Sequence, residues 1–287
     1  MARYDLHGKT ALITGGARGI GFATARALLA RGATVAVADL DAGAVQRAAS
    51  ELHDTRAMGI VADVTDRGAM QRAVAAVVER HGGLDVVVAN AGVASRVASF
   101  RAMSSESFER VLDVNMMGVL RTVEAALPQI VPRRGHVVVI SSVYAFINGS
   151  GAVPYAMSKA AVEQLGRALR VELAPHGAGA SVAYFGFIDT EMVHRAIDAD
   201  PLVEQMLATL PEPLRKRVQP SVAGEAIATG IEQRKPRIIR PRRWAAVSVL
   251  RGVLGPLGDS RLERDAQTHE LVRQFDARAG EDQPTTA

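Results

Sequence analysis

The chain has 287 residues, of which 48% are hydrophobic and 4% aromatic, with a formal net charge of +4 and no cysteine. This length and apolar content suffice for one large core or two small ones. The lack of cysteine excludes a disulfide framework, a thiolate metal site and a cysteine nucleophile. The first residues lack the layout of a signal peptide, and no apolar run approaches the roughly 20 residues that span a bilayer. We therefore expect a cytoplasmic protein.

Short apolar runs rich in valine and isoleucine alternate with longer helical stretches along most of the chain. We predict strands at 10–14, 34–39, 59–64, 84–90, 136–142, 181–185 and 237–240. We predict helices at 19–28, 41–53, 66–81, 104–131, 154–175 and 221–233. Continuous apolar strands that alternate with helices are typical of a doubly wound parallel sheet, an α/β fold of Rossmann type. The pattern predicts a single domain over 1–240 and a C-terminal extension over 241–287.

The regular alternation stops near residue 188. Between 188 and 220 the helical stretches are broken by Pro201, Pro211, Pro213 and Pro220. This segment is either a mobile substrate lid or an irregular surface excursion. The last residues, 276–287, are polar and charged, and we predict that they are disordered.

A glycine-rich turn follows the first predicted strand, in the stretch TALITGGARGIG. Glycines in such a turn let backbone N–H groups approach a pyrophosphate at the N-terminus of the following helix. The spacing T-G-x-x-x-G-x-G differs from G-x-G-x-x-G, but the turn lies at the first βα junction, where doubly wound folds bind nucleotides. The turn therefore predicts a dinucleotide site.

Asp39 ends the second predicted strand, about twenty residues after the glycines. A carboxylate there can accept hydrogen bonds from the ribose hydroxyls of NAD and would repel the 2′-phosphate of NADP. Arg18 gives the opposite signal, because its cation could pair with that phosphate or cover the adenine. We give Asp39 more weight and predict NAD, with NADP as the alternative. Asp39 could also be a solvated loop residue or a helix cap, a role that Asp41 could fill instead.

Tyr155 and Lys159 lie four residues apart and share one face of a predicted helix. A nearby ammonium favours the phenolate and lowers its pKa, which would make Tyr155 a base for an alcohol proton near neutral pH. On its own, the spacing also fits an ordinary surface pair.

Further motifs follow the glycine turn in order: DV at 63–64, NAG at 90–92, Asn115 in VLDVNMMG, Ser142 in VISS, and YAMSK at 155–159. Together they resemble the short-chain dehydrogenase/reductase family in its common single-domain form, over about residues 6–240. The resemblance implies a catalytic group of Asn115, Ser142, Tyr155 and Lys159. It implies a cofactor site made of Gly15, Arg18, Gly19, Ile20, Gly21, Asp39, Asp63, Val64, Asn90, Ala91, Gly92, Tyr155, Lys159, Gly186, Ile188 and Thr190.

Within this group, Ser142 would hydrogen-bond the reacting oxygen, and Asn115 would hold a water that links Lys159 to solvent. Ser142 could instead satisfy backbone groups, and Asn115 could be a buried helix amide. Ser141 and Tyr144 compete with Ser142, which is preferred because it lies thirteen residues before Tyr155, the spacing typical of the family. The histidines form no cluster with metal-ligand spacing, and we expect no metal site.

Two departures from the family are visible. Phe185-Gly186 stands where relatives commonly have Pro-Gly, and Phe185 and Phe187 could pack against the nicotinamide or the substrate. The basic run at 234–243 precedes Trp244, Val247, Leu250 and Leu254 at roughly helical spacing. This segment, 234–257, is either a helix that closes the pocket or a subunit interface, or it lies on an anionic membrane surface. We expect no nucleic-acid partner.

The expected function is an NAD(H)-dependent oxidoreductase that interconverts a secondary alcohol and a ketone. The phenylalanines and methionines of 185–210 favour an apolar substrate, such as a lipid, steroid or terpenoid. One alternative is an NADP(H)-dependent ketoreductase, including reduction of 3-oxoacyl thioesters. Another is a non-catalytic dinucleotide sensor or scaffold. The resemblance also implies a homodimer or homotetramer in which the helices at 104–131 and 154–175 pair.

Overall fold

The computed structural model describes residues 3–52 and 55–279. Within these ranges seven strands form one sheet in the order β3-β2-β1-β4-β5-β6-β7, and all neighbours are parallel. The strands are β1 (Thr10–Thr14), β2 (Thr34–Asp39), β3 (Ala57–Val61), β4 (Val86–Ala89), β5 (His136–Ser142), β6 (Gly179–Phe185) and β7 (Arg237–Arg240). The predicted doubly wound sheet is confirmed, with its switch in strand order between β1 and β4.

Helices cover both faces of this sheet. They are α1 (Gly19–Leu29), α2 (Ala42–Leu52), α3 (Arg67–His81), α4 (Ser105–Leu112), α5 (Gly118–Ile130), α6 (Val153–Glu172), α7 (Glu191–Val193), α8 (Pro201–Ala208), α9 (Glu212–Arg215), α10 (Pro220–Glu232), α11 (Trp244–Leu262) and α12 (Ala266–Asp276). A π-helical segment, Asp113–Met117, joins α4 to α5, and a second one, His194–Asp198, follows α7. The stretch predicted as one helix at 104–131 is therefore two α-helices with a π-helical join.

The strands are buried because helices pack on both sides of them. Every residue of β1, β4, β5 and β6 is buried. On one face the core contains residues of α3, α5 and α6, including Met70, Ile130 and Leu169. On the other face it contains residues of α1, α2 and α10, including Leu28 and Ile227. Both faces being covered is the reason why the strand sequences are continuously apolar.

The segment predicted as a lid leaves the sheet after β6 and is held at both ends. Ile188 forms a β-bridge with Val218, and the N–H of Asp189 donates to the carbonyl of Val218 at 2.9 Å. Between these points lie α7, α8 and α9, with prolines at the start of the last two. The predicted proline-broken helices are therefore present, while the mobility expected of a lid stays a prediction.

The C-terminal extension folds back onto that segment. Leu271 and Phe275 of α12 form a small core with Val203 of α8 and with Val97. Arg278 forms an ion pair with Asp200 in which both side chains are about 10% exposed. Residues 276–279 are thus folded, contrary to the predicted disorder, because α12 buries its apolar face on α8. The rest of the predicted disordered end, 280–287, lies outside the described residues.

Within residues 3–52 and 55–279, no helix combines the length and apolar character that crossing a membrane requires.

Candidate active site

A cleft of about 830 Å³ opens at the carboxyl edge of the sheet, beside the switch in strand order. Parallel sheets bind their ligands at this position. Its lining includes all but one of the predicted cofactor residues, namely Gly15, Arg18, Gly19, Ile20, Asp39, Asp63, Val64, Asn90, Ala91, Gly92, Tyr155, Lys159, Gly186, Ile188 and Thr190. Residues that are far apart in the chain are therefore brought together as the sequence predicts.

The exception is Gly21, which lies beneath the glycine turn. A Cβ added at Gly21 would come within 2.2 Å of the carbonyl oxygen of Gly15. Gly21 is therefore needed for the close approach of α1 to the turn, although it does not line the cleft. Gly15 has a φ of +60°, which only glycine adopts readily.

Asn90 holds the glycine turn from the neighbouring strand. Its side-chain amide donates to the carbonyls of Thr14 and Gly15, both at 3.0 Å. The hydroxyl of Thr14 accepts in return from the N–H of Asn90 at 3.1 Å. Thr14 is a supporting residue that sequence reasoning missed, although the Thr-Gly pair at the end of β1 could have indicated it. The open backbone of this turn at the start of α1 fits a pyrophosphate.

The carboxylate of Asp39 lies at the end of β2 and meets the glycine turn. It accepts from the N–H of Ala17 at 3.2 Å and from that of Leu40 at 2.9 Å. Asp41 is the residue that caps α2, because its side chain accepts from the N–H of Ala44 at 2.9 Å. That hydrogen bond, aided by the charge of Arg18, lowers the pKa of Asp41. The alternative role of helix cap thus falls to Asp41 and leaves Asp39 facing the cleft.

Arg18 is paired with two carboxylates across the mouth of the cleft. Its guanidinium is 3.2 Å from Asp41 and 3.2 Å from Glu191 of α7. The sequence showed Arg18 as an isolated cation in the phosphate turn. Only the fold brings Glu191 to it, since the two residues are 173 positions apart in the chain.

Asp63 and Val64, which the family resemblance assigns to the cofactor site, lie just beyond the end of β3. The carboxylate of Asp63 accepts from both the N–H and the hydroxyl of Thr65, at 2.8 Å each. These bonds form a tight turn that places Asp63 and Val64 in the lining of the cleft.

Tyr155, Lys159 and Ser142 meet where β5 ends and α6 begins. The ammonium of Lys159 lies 5.4 Å from the centre of the Tyr155 ring and donates to the carbonyl of Ile140 at 3.1 Å. The hydroxyl of Ser142 donates to the carbonyl of Phe185 at 3.3 Å, and it lies near enough to Tyr155 to affect the pKa of that phenol. Lys159 is 4% exposed and therefore belongs to the interior, which excludes the ordinary surface pair.

The protonation of this pair differs from the sequence prediction. Burial raises the pKa of Tyr155, and the hydrogen bond with Ser142 acts against that rise. Burial also lowers the pKa of Lys159 to about 8. The prediction that Lys159 lowers the pKa of Tyr155 is therefore wrong. Burial removes both side chains from water, which disfavours the phenolate of Tyr155 and the ammonium of Lys159.

Asn115 lies in the π-helical segment between α4 and α5 and is fully buried. Its side-chain oxygen accepts from the N–H of Val93 at 2.7 Å, and its amide donates to the carbonyl of Val93 at 2.9 Å. A Cβ added at Gly92 would lie 3.2 Å from this oxygen and 3.6 Å from the Lys159 nitrogen. Asn115 thus lies close to Lys159, although its side chain is committed to the backbone after β4. Such π-helical insertions are frequent at functional sites.

The two competitors of Ser142 have other partners. The hydroxyl of Ser141 donates to the carbonyl of Lys159 at 2.7 Å and is buried. The ring of Tyr144 packs edge-on against that of Tyr155, with ring centres 5.7 Å apart. Burial raises the pKa of Tyr144 to about 12, which makes it a poorer base than an exposed phenol. Ser141 and Tyr144 are thus engaged elsewhere, and Ser142 remains the candidate for the hydroxyl that acts beside Tyr155.

The turn after β6 carries Gly186, Ile188 and Thr190 into the cleft. Thr190 also caps α7, because its hydroxyl accepts from the N–H of Val193 at 3.4 Å. Phe187 does not face the cleft and instead packs in the core with Trp244 and Val143. Trp244 is completely buried, which fits the alternative of a helix that packs against the rest of the chain and not that of a Trp-led apolar face on a membrane. Met192, Val193 and Ala196 of the lid segment also line the cleft and were not predicted individually.

The comparisons with known proteins agree with this geometry. The short chain dehydrogenase family model matches residues 9–200. Oxidoreductase UcpA of Salmonella typhimurium is 34% identical over 233 residues, which cover 78% of this chain and 87% of the relative. L-fucose dehydrogenase of Mus musculus is 34% identical over 230 residues, which cover 79% of this chain and 83% of the relative.

Among solved structures, a short chain dehydrogenase/reductase from Burkholderia phymatum in complex with NAD has a TM-score of 0.78 and 25% identity. The match covers 89% of this chain and 96% of that one. The family model covers both the glycine turn and the Tyr155–Lys159 pair. This chain therefore belongs to the short-chain dehydrogenase/reductase family of oxidoreductases.

Proposed function

We propose that this protein is an NAD(H)-dependent oxidoreductase that interconverts a secondary alcohol and a ketone. The observation that carries the proposal is that Tyr155 and the buried Lys159 lie together at the wall of a dinucleotide-sized cleft, with the Lys159 nitrogen 5.4 Å from the centre of the Tyr155 ring. The nicotinamide, when bound, would accept a hydride from the alcohol or donate one to the ketone. The protein's own residues then have to handle the proton and hold the oxygen.

Tyr155 would take the hydroxyl proton during oxidation and return it during reduction. Ser142 would donate a hydrogen bond to the same substrate oxygen once its hydroxyl turns from the carbonyl of Phe185, to which it donates at 3.3 Å. Lys159 has a pKa of about 8, so it can gain or lose a proton near neutral pH and could exchange it with Tyr155. Gly92 and Asn115 adjoin its nitrogen and would border the path of that proton.

The cofactor proposal rests on the charges at the adenosine end of the cleft. Asp39 faces this end, and Arg18 is already paired with Asp41 and Glu191. A 2′-phosphate would meet more carboxylates than cations there, which favours NAD over NADP. The similar Burkholderia structure was determined with NAD, which supports the same choice.

Cofactor choice can be tested with the intrinsic fluorescence of the single tryptophan, Trp244. The indole is buried against Gly186, so a bound reduced nicotinamide should quench its emission. We expect quenching at lower concentrations of NADH than of NADPH. Tighter binding of NADPH would contradict the role of Asp39 and support the NADP(H)-dependent ketoreductase.

We propose an apolar substrate because the lid segment gives the cleft an apolar wall. Met192, Val193 and Ala196 contribute apolar surface there, next to Ile188. The name of the L-fucose dehydrogenase relative points instead to a polar sugar. A panel of steroid and terpenoid secondary alcohols, with L-fucose as a polar control, should be followed by NADH absorbance. Faster oxidation of L-fucose would overturn the apolar assignment.

The panel also tests the remaining alternatives. NADPH-dependent reduction of a 3-oxoacyl thioester, with no alcohol oxidised, would favour the ketoreductase. No turnover of any substrate despite saturating NADH binding would favour a non-catalytic sensor. We propose an enzyme because a sensor needs the glycine turn but has no use for a tyrosine beside a buried lysine at the wall of the cleft.

We also propose a homodimer formed through α5 and α6. A groove of about 580 Å³ on these helices has a mainly apolar lining, which includes Leu120, Leu127, Val131 and Leu165. The family resemblance pairs the same helices between subunits, which identifies a second copy as the occupant. Light scattering should give at least twice the monomer mass. Leu165→Asp should reduce it, and a wild-type monomer would contradict the proposal.

A membrane contact through the segment 234–257 would use a different surface from the basic run and Trp244 that the sequence indicated. Arg234, Arg237 and Arg243 have intramolecular partners, and Trp244 is buried. The exposed apolar side chains are instead Val249, Leu250, Val253, Leu254 and Leu257, on one face of α11. We propose that this outer face of α11 lies on an anionic lipid surface.

Charge and size favour lipid over a second protein copy. Exposed Arg242 precedes the apolar face, and exposed Arg261 and Arg264 follow it, together with Asp259 and Glu263. The face is only about 12 Å long, whereas a stable interface buries roughly 800 Å² per partner. The protein should sediment with phosphatidylglycerol vesicles more than with phosphatidylcholine vesicles. The double variant Val253→Asp/Leu257→Asp should abolish this sedimentation with vesicles. Self-association that the same variant removes, without vesicle binding, would identify a second copy instead.

A further inference from the structure

The turn at Gly186–Ile188 lacks the proline that commonly stiffens it in the family, because Phe185 occupies that position. It is nevertheless tightly held. The N–H of Gly186 donates to the carbonyl of Arg240 at 2.9 Å. The carbonyl of Phe187 accepts from the N–H of Val218 at 3.1 Å. These two hydrogen bonds fix the backbone of the turn. They do not fill the space beneath it.

Trp244, the first residue of α11, fills that space. A Cβ added at Gly186 would lie 2.5 Å from the indole nitrogen and 2.9 Å from the adjacent ring carbon. The indole is 0% exposed and packs in one cluster with Phe187 and Val143. Its centre lies 6.5 Å from that of the Phe146 ring, in an edge-on arrangement. The backbone of the turn therefore rests directly on the ring.

The indole is held by shape rather than by a hydrogen bond. Its N–H is buried and has no hydrogen-bond partner in the described chain. A buried donor without a partner is unfavourable, so the ring gains nothing here from being an indole rather than another large aromatic. Its contribution is the volume that it places beneath Gly186.

We propose that Trp244 is a positioning residue that fixes the Gly186–Ile188 turn against the nicotinamide, and that it replaces the stiffening that proline provides in relatives. The inference rests on the proposed function and on the family resemblance, which puts Gly186, Ile188 and Thr190 in the cofactor site; all three line the cleft. It gives the C-terminal extension a part in cofactor geometry, although the extension contributes no group to the chemistry.

Three single variants test this role. Trp244→Ala should remove the support and lower kcat/KM for NAD by about 10- to 100-fold, because small misplacements of reacting groups are costly. Trp244→Phe should keep most of the volume, remove the unpaired N–H and retain near-normal kinetics. Ile231→Ala is a matched control, since Ile231 is 0% exposed, lies in the last turn of α10 and does not line the cleft. It should lower stability while leaving KM for NAD unchanged.

A coupling experiment addresses the contact itself. Gly186→Ala should lower activity strongly, because its methyl group would collide with the indole. In the double variant Gly186→Ala/Trp244→Ala, the methyl group enters the space that the ring vacates. We expect the double variant to be more active than Gly186→Ala alone. Additive losses would show that the ring does not support the turn.

The outcomes separate this inference from the proposed function. Binding of NADH to each variant should be measured by calorimetry, which does not depend on tryptophan. If wild-type protein fails to bind NADH, the proposed function is wrong. If wild-type protein binds and turns over while Trp244→Ala shifts kinetics no more than Ile231→Ala does, the positioning role is wrong.

Discussion

The two sides of the cleft are built in different ways. On the coenzyme half, residues 9–186, the groups that face the cleft are held by bonds at neighbouring strand ends, such as Asp39 to Ala17 and Asn90 to Gly15. On the cover, residues 187–219 and 241–279, the decisive contacts join α8 to the chain end through Asp200 and Arg278. The coenzyme half thus carries the chemistry on the rigid edge of a sheet, whereas the cover depends on the extension to keep its shape. Substitutions on the two sides should therefore have separable effects.

The sharpest test of this division is Tyr155→Phe, which removes the proposed acid and base from the coenzyme half. Turnover should fall by about 1,000-fold or more, since general acid–base catalysis contributes factors of this order. NADH binding and the melting temperature should change little. Tyr144→Phe is the matched control, because Tyr144 packs edge-on against Tyr155 and has no assigned proton. Near-normal turnover by Tyr155→Phe would refute the assignment.

The reverse pattern is expected on the cover. Asp200→Asn removes the negative charge that pairs with the buried Arg278 and should reduce the free energy of unfolding by about 3–5 kcal/mol. Asp198→Asn is the control, because its ion pair with Arg217 is about 30–42% exposed and such pairs contribute at most about 1 kcal/mol. Urea denaturation measures both. Equal losses for the two variants would show that α12 does not hold the cover in place.

Acid stability should depend on the coenzyme half. Burial lowers the pKa of His136 to about 3, so the folded protein keeps this side chain neutral. The unfolded chain binds a proton there below about pH 6.5, and stability should therefore fall by about 2 kcal/mol from this group between pH 7.5 and pH 5. His136→Gln should remove that part of the pH dependence in urea denaturation. The exposed His176→Gln should not, and an unchanged slope in His136→Gln would contradict the prediction.

The smallest expected effect concerns cofactor choice. Asp39→Ser removes a charged acceptor for the ribose hydroxyls, and the apparent affinity for NAD should fall by about 10-fold. The same change removes repulsion of a 2′-phosphate, so the preference for NAD over NADP should narrow. Asp41→Asn keeps a side chain that can cap α2 and should leave NAD binding nearly unchanged. Steady-state kinetics with NAD and with NADP measure this preference. An unchanged preference for NAD in Asp39→Ser would contradict the role of Asp39.

The sequence by itself determined the parallel sheet and most of the cleft. Strand and helix periods are local properties, and the functional residues follow strands whose carboxyl ends must meet at one edge of a parallel sheet. Asp39 and Tyr155 were indicated by their own positions in the chain. Asn90 and Gly186 were assigned to the same site by the family motifs.

Only the tertiary structure decided how these residues are partnered and how the extension is used. The pairing of Arg18 with Glu191, the direction of the Tyr155 pKa, the burial of Trp244 and the folding of residues 276–279 all depend on contacts between distant segments. Helical spacing places Trp244 and Leu250 in the same apolar pattern, although one is 0% and the other 52% exposed. Periodicity shows which side chains share a helix face, but burial depends on which other element packs against that face.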